Sequence, residues 1–251
     1  MTAPGGNARP PVFLSEPAAL AADHVVLDGP EGRHAATVRR LAVGERVDLT
    51  DGAGLVAESV VAAARPGALE LSVLARRREP RPDPVLTVAQ ALPKGEHGPL
   101  AVDLMTEGGV DVIVPWAAQR CVTRWQGERG DRALARWRAA AREAAKQARR
   151  AWLPEVTEPA GTRELAARVA RAGLAVLLDP AAPALLSELE LPGTGDIVMI
   201  VGPEGGVSPA ETAELTGAGA VPARLGPAVL RTSSAGLVAA TIVASRSGRW
   251  G

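Results

Sequence analysis

The sequence predicts an α/β chain in two parts, a small β-barrel over residues 1–80 and a parallel-sheet domain over residues 81–251. Three observations carry that prediction. Short apolar runs alternate with Gly/Asp turns through the first third of the chain. Alternating proline and charge interrupt the chain near residue 80. Beyond that break, strand-like and helix-like patterns alternate almost to the end.

The first part is read from four runs, His24–Leu27, Arg46–Leu49, Leu55–Val61 and Ala68–Leu74, separated by turns such as Asp51-Gly52-Ala53-Gly54 and Pro66-Gly67. A helix is expected between the first two runs, with His34, Val38 and Leu41 on one face. Gly29-Pro30-Glu31-Gly32 reads as an ordinary turn. The break itself is Arg76-Arg77-Arg78-Glu79-Pro80-Arg81-Pro82-Asp83-Pro84, expected to be a solvated linker. After it come strands at Val85–Gln90, Val110–Val114, Leu174–Leu178, Ile197–Val201 and Pro222–Leu225. A long helix is expected from about Asp131 to Leu153, with Leu134, Trp137, Ala141, Ala145, Ala148 and Trp152 on one face. A last helix, rich in Ala, Gly, Ser and Thr, is expected from Val229 to Ser245.

Composition narrows the class. Of 251 residues, 47% are hydrophobic and 22% charged, enough apolar material for a buried core. Formal charge sums to zero, yet residues 120–150 hold ten Lys or Arg against three Asp or Glu. Such a local surplus fits either a polyanion partner or a solvated helix face. One cysteine, Cys121, and three histidines cannot supply a disulfide framework or a plausible zinc site, so no metal is expected. With no apolar leader core and no run of membrane-spanning length, a cytoplasmic protein without membrane contact is expected.

The stretch with chemical content is Ile197–Glu211. An apolar run empties into Gly202-Pro203-Glu204-Gly205-Gly206, and Ser208, Pro209 and Glu211 then spell a capped helix start. Flexible backbone at the C-terminal end of a parallel strand, facing a helix N-terminus, is where open α/β sheets bind ligands. A second turn of the same kind, Leu225-Gly226-Pro227, leads to Leu230-Arg231-Thr232, and the two turns are expected to share one pocket made largely of backbone. No phosphate-loop, dinucleotide-fingerprint or serine-elbow motif is present.

GPEGGVSPAE followed by LGPAVLRTSSA resembles the paired C-terminal motifs of the RsmE family, the 16S rRNA uracil-N3 methyltransferases of the SPOUT superfamily. The resemblance runs over nearly the whole chain. His34–Arg40 with Asp51–Gly54 is similar to the family's N-terminal PUA-like barrel, and Gln90–Gly95, Thr106–Val110, Gln119–Cys121 and Glu143–Arg150 also fall in register. It implies a SPOUT-type domain with a C-terminal trefoil knot, a homodimer, and S-adenosyl-L-methionine as cofactor. One cofactor loop would be Gly202, Pro203, Glu204, Gly205 and Gly206; the other would be Leu225, Gly226, Pro227 and Leu230, with Leu177 or Leu178 on a third side. Arg231 would face the transfer site. The implied partner is 16S rRNA in the small ribosomal subunit, approached through Arg9, Arg33, Arg39, Arg40, Lys94, Arg120, Arg149 and Arg150.

The chain departs from the family pattern at Ala228, where a basic residue is usual, and at Ser233, where Glu is usual. Ala118-Gln119-Arg120 and Gly108 also differ. The reaction implied needs alignment of an activated methyl group and removal of the uracil N3 proton, with Arg231 stabilising the developing anion. Glu204 reads either as the proton acceptor or as a structural member of its own loop. Two rival functions stay open at this point, an RNA-binding assembly factor without chemistry and a SPOUT methyltransferase of different RNA specificity.

Overall fold

A computed structural model describes residues 10–95 and 97–250. Backbone contacts divide the chain into two compact units: residues up to Arg81 together with Lys146–Leu153, and Pro82–Ala145 together with the chain from Pro154 onward.

The first unit is a five-stranded sheet of β1 (Val12–Leu14), β2 (His24–Leu27), β3 (Arg46–Thr50), β4 (Leu55–Arg65) and β5 (Ala68–Arg78), in the order β1-β3-β4-β5-β2. All its ladders are antiparallel except the one between β1 and β3. Alternation sorts the side chains: Val25 and Leu27, Val47 and Leu49, Leu69 and Leu71 turn to a core that also holds Phe13 and Leu20. Among the described residues no ladder joins the edge strands β1 and β2, so the expected closure into a barrel is not made by hydrogen bonds.

Two expectations here are corrected. Gly29-Pro30-Glu31-Gly32 is not a plain turn but the body of a short helix, α2 (Gly29–Arg33), which runs on into a π-helical turn at His34–Val38. Short α1 (Pro17–Leu20) precedes it. Arg76–Arg78, read as linker, belong to β5. Two of them have local partners, the Arg76 guanidinium donating to the Leu20 carbonyl at 2.7 Å and Arg77 pairing with Glu58 and Glu79.

The first unit is completed from far along the chain. Thr50 Oγ1 and the Gly54 amide both donate to the Ala151 carbonyl at 3.1 Å, and the Leu153 amide donates to Gly52 at 2.9 Å. Trp152 Nε1 donates to the Glu79 carbonyl at 3.1 Å. The long helix therefore cannot reach Leu153. It is α4 (Gly127–Gln147), and the chain leaves it through Arg149, whose φ of 55° is left-handed. Leu134, Trp137, Ala141 and Ala145 are buried as expected, whereas Ala148 is exposed and Trp152 lies beyond the helix.

The second unit is a six-stranded, wholly parallel sheet. Its strands are β6 (Val85–Ala91), β7 (Val112–Trp116), β8 (Glu155–Val156), β9 (Leu174–Leu178), β10 (Asp196–Val201) and β11 (Val221–Ala223), in the order β11-β9-β10-β6-β7-β8. The central strands β6 and β10 are apolar almost throughout and buried, as a sheet covered on both faces requires. Helices α3 (His97–Glu107), α5 (Thr162–Val169), α6 (Pro209–Gly217) and α7 (Thr232–Arg246) complete it. Short β8 and α5 carry too little pattern to have been expected.

Helix α7 begins three residues later than expected. Arg231 is extended, with φ −67° and ψ 148°, and caps the helix, so Val229 and Leu230 remain loop. Small residues let α7 lie close to its neighbours. A Cβ on Gly236 would stand 2.7 Å from the Met105 sulfur, and one on Gly108 would stand 2.6 Å from Leu237 Cδ1. Leu237 thus occupies the space beside Gly108, the position where the resemblance expects leucine.

Candidate active site

The C-terminal ends of β9, β10 and β11 open on one side of the parallel sheet, and the segments leaving them enclose a cavity of about 350 Å³. Leu177 and Leu178 end β9; Gly202, Pro203, Glu204 and Gly206 follow β10; Leu225, Gly226 and Leu230 follow β11. All of these line it. Gly205 and Pro227 belong to the same two turns but do not line the cavity. Asp179, Pro180, Thr212, Arg224, Ala228 and Val229 also line it and were not expected. Asp179 had a readable signal, since it directly follows the third expected strand.

Local chemistry explains why the first turn stays open. Gly206 has a φ of +73°, a conformation that disfavours any side chain, and its amide donates to the Pro203 carbonyl at 2.8 Å. Helix α6 then starts with the capping box foreseen in the sequence, Ser208 Oγ accepting from the Glu211 amide at 3.3 Å. The Glu211 carboxylate does more than cap. One oxygen accepts from the Gln119 amide at 2.7 Å and Thr162 Oγ1 at 2.9 Å; the other accepts from the Ser208 amide at 3.1 Å and Ser208 Oγ at 2.8 Å. Burial pushes this carboxyl up, but those four donors outweigh it and hold it below the ordinary glutamate range. One buried anion thereby ties together the segment after β7, the first residue of α5 and the N-cap of α6.

Glu204 is exposed and accepts the Lys94 amide at 3.3 Å; Arg120 Nη1 donates to the Gly205 carbonyl at 3.2 Å. Lys94 and Arg120, expected to touch RNA, therefore both adjoin the loop. Arg231 does not line the first cavity. It lines a second one, of about 340 Å³, with His97, Glu204, Leu230, Thr232 and Ser233. Glu204, Leu230 and Thr232 border both cavities. Cys121 is buried, and burial pushes its thiol up, the opposite of an activated nucleophile. Among the described residues no group of three or more His, Cys, Asp or Glu could hold a metal ion, and no helix is long and apolar enough to cross a membrane.

Sequence comparison gives this geometry a context. The RNA methyltransferase domain family matches residues 80–244, and the RNA methyltransferase PUA domain family matches residues 27–74. The ribosomal RNA small subunit methyltransferase E of Mycobacterium bovis is 48% identical over 229 residues, which cover 90% of this chain and 87% of the relative. The chain belongs to the small subunit rRNA methyltransferase E family. Its Bacillus subtilis member is 27% identical, covering 86% of this chain and 88% of the relative. Among solved structures, the family member from Neisseria gonorrhoeae bound to S-adenosyl methionine is 26% identical with a TM-score of 0.83, covering 95% of this chain and 98% of that one.

The remaining basic residues expected at RNA fall in the first unit. Arg33, Arg39, Arg40 and Arg149 are exposed there, Arg40 with a left-handed φ of 53°; Arg150 is half-buried. Arg9 lies outside the described residues.

Proposed function

We propose that this chain transfers the methyl group of S-adenosyl-L-methionine to N3 of a uridine in the decoding region of 16S rRNA, within the assembled small ribosomal subunit. The observation that carries the reading is the convergence of the Gly202–Gly206 and Leu225–Leu230 segments on one cavity at the ends of β10 and β11. S-adenosyl-L-methionine is the cofactor, and the cavity residues fit it. Leu177, Leu178, Leu225 and Leu230 offer apolar walls for a purine, while the glycine-rich turn offers backbone donors and acceptors without side chains in the way. The donor supplies a methyl group already activated by its sulfonium.

The protein's share of the work is to orient, exclude water and stabilise charge. The helix start that follows the first turn is fixed by Glu211 and its four donors. The Arg231 guanidinium sits on the neighbouring cavity, suited to the oxygens of a uracil ring losing its proton. Glu204 forms the wall between the two cavities and holds the Lys94 amide. Ser233, buried at the start of α7, stands where the resemblance expects a carboxylate, so Glu204 is the acidic group of this wall.

The same reading includes a PUA-like first domain that contacts the phosphate backbone through Arg9, Arg33, Arg39, Arg40, Arg149 and Arg150, with Lys94 and Arg120 near the reaction. It includes a trefoil knot in the chain segments that form the donor cavity, with the domain boundary near residue 80. It also includes a homodimer, favoured by apolar side chains left exposed at Leu100 and Trp250. The test is methyl mapping of small-subunit RNA from cells with and without the chain, repeated in vitro on assembled particles and on free 16S rRNA. A uridine N3 methyl lost with the chain, and restored only on assembled particles, is expected. A methyl on ribose, or on another base, would replace the specificity; no S-adenosyl-L-methionine binding by calorimetry would replace the enzyme with an assembly factor.

A further inference from the structure

The second cavity has a composition that the donor does not need. It is bounded by one carboxylate, Glu204, one guanidinium, Arg231, and one imidazole, His97, the first residue of α3. It is also bounded by Thr232 and Ser233, the first two residues of the fifteen-residue helix α7, whose amides have no acceptor within the helix. A guanidinium and a helix N-terminus facing one space favour an anion there. A third group facing it, the imidazole, has a ring nitrogen able to accept a proton. Shared borders at Glu204, Leu230 and Thr232 put this space directly beside the donor cavity.

We infer that the second cavity holds the acceptor uracil and that His97 takes its N3 proton. This rests on the uridine N3 reading above. In the step, the N3–H bond breaks and its proton passes to a ring nitrogen of neutral His97. The N3 electron pair forms the new N–CH3 bond as the sulfur–methyl pair returns to sulfur. Arg231 and the Thr232 and Ser233 amides face the charge that gathers on the ring oxygens before transfer, and His97 afterwards releases its proton to solvent. Glu204 is the poorer acceptor, because one of its oxygens already accepts the Lys94 amide. The charged groups lining the cavity with His97 are Glu204 and Arg231, with Lys94 on the turn that leads into α3.

The test compares the full-length wild type with His97→Gln and His97→Ala on unmethylated small-subunit particles, with S-adenosylhomocysteine affinity measured by calorimetry alongside. Wild-type kcat is expected to rise with pH to a plateau as the proton acceptor loses its own proton. His97→Gln should lose that rise and about 100-fold or more of kcat at neutral pH. Its KM for particles should change much less, and its S-adenosylhomocysteine affinity should stay within about twofold if the donor cavity is intact. Added imidazole should restore part of the activity of His97→Ala. A His97→Gln enzyme with wild-type kcat and pH profile overturns the inference and leaves the uridine N3 reading standing. So does a loss of kcat matched by an equal loss of S-adenosylhomocysteine affinity. Methylation by the wild type at a position with no ring proton to lose overturns both.

Discussion

The tetrapeptide Gly-Pro-Glu-Gly occurs twice, each time within a residue of the end of an apolar strand, and the two copies do opposite things. After β2 it coils into α2, and Glu31 turns inward to a buried ion pair with Lys146 at 3.0 Å while also accepting the Leu14 amide at 3.4 Å. After β10 it stays an open turn and Glu204 faces two cavities. The difference lies in which carboxylate does the anchoring. In the first copy the anchor is the motif's own glutamate. In the second that task has moved seven residues on to Glu211, so Glu204 is left beside the site. Placement of the anchoring anion, not the motif, separates scaffold from site.

Four sets of substitutions sharpen or break this contrast, the largest first. Lys146→Met should destabilise the full chain by about 3–5 kcal/mol in denaturant unfolding, because Glu31 is then buried without its cation. The double change Glu31→Leu, Lys146→Met should recover most of that loss; failure to do so would mean that shape, not charge, holds α2.

Glu211→Gln should cost about 2 kcal/mol through weakened charge-assisted hydrogen bonds. It should also change the pH response. The folded-state pKa of Glu211 lies below its unfolded value, so its contribution is complete above the ordinary glutamate range and is lost as pH falls through the folded value. Acid titration of stability should therefore be flatter in Glu211→Gln than in wild type, and equal slopes would remove Glu211 from the anchoring role.

Alanine at the glycines tests the two backbones. At Gly32 a Cβ collides with the carbonyl oxygens of Leu27 and Gly67, and a loss of about 1–3 kcal/mol is expected. At Gly206 the space is open, the nearest atom being Arg120 Nη1 at 3.9 Å, so only the left-handed backbone costs, about 1–2 kcal/mol. Gly206→Ala should nonetheless weaken S-adenosylhomocysteine binding in calorimetry, while Gly32→Ala should leave it unchanged once folded. The smallest effect concerns the arginines. Arg33→Gln, on α2, should lower the salt slope of RNA binding by about 1 with donor affinity intact, whereas Arg120→Gln, which frees the Gly205 carbonyl, should lower donor affinity.

Much of the second unit was legible because its signals are local or periodic. Leu174–Leu178 appears with the expected bounds, and the Ser208–Glu211 capping box forms as spelled. The errors share a cause. The pattern of α4 continues to Trp152, yet Ala151 and Leu153 find hydrogen-bond partners in the turn at Gly52–Gly54, a hundred residues away in sequence. The second Gly-Pro-Glu-Gly was recognised by the helix start behind it. The first reads as a plain turn because its anchor, Lys146, is 115 residues distant. His97 carried no signal at all, since what distinguishes it is the company of Glu204 and Arg231.

By itself the sequence determined the five main strands of the second unit, the two glycine turns and the family they belong to, since these rest on backbone propensity, side-chain period and contiguous motifs. The tertiary structure alone decided which strands adjoin, which glutamate is buried as an anchor, and that Arg231 and His97 border one space beside the cavity of the two glycine turns. Those outcomes depend on closing long loops around shared buried polar groups, and the energy of such closures is written in no single stretch of chain.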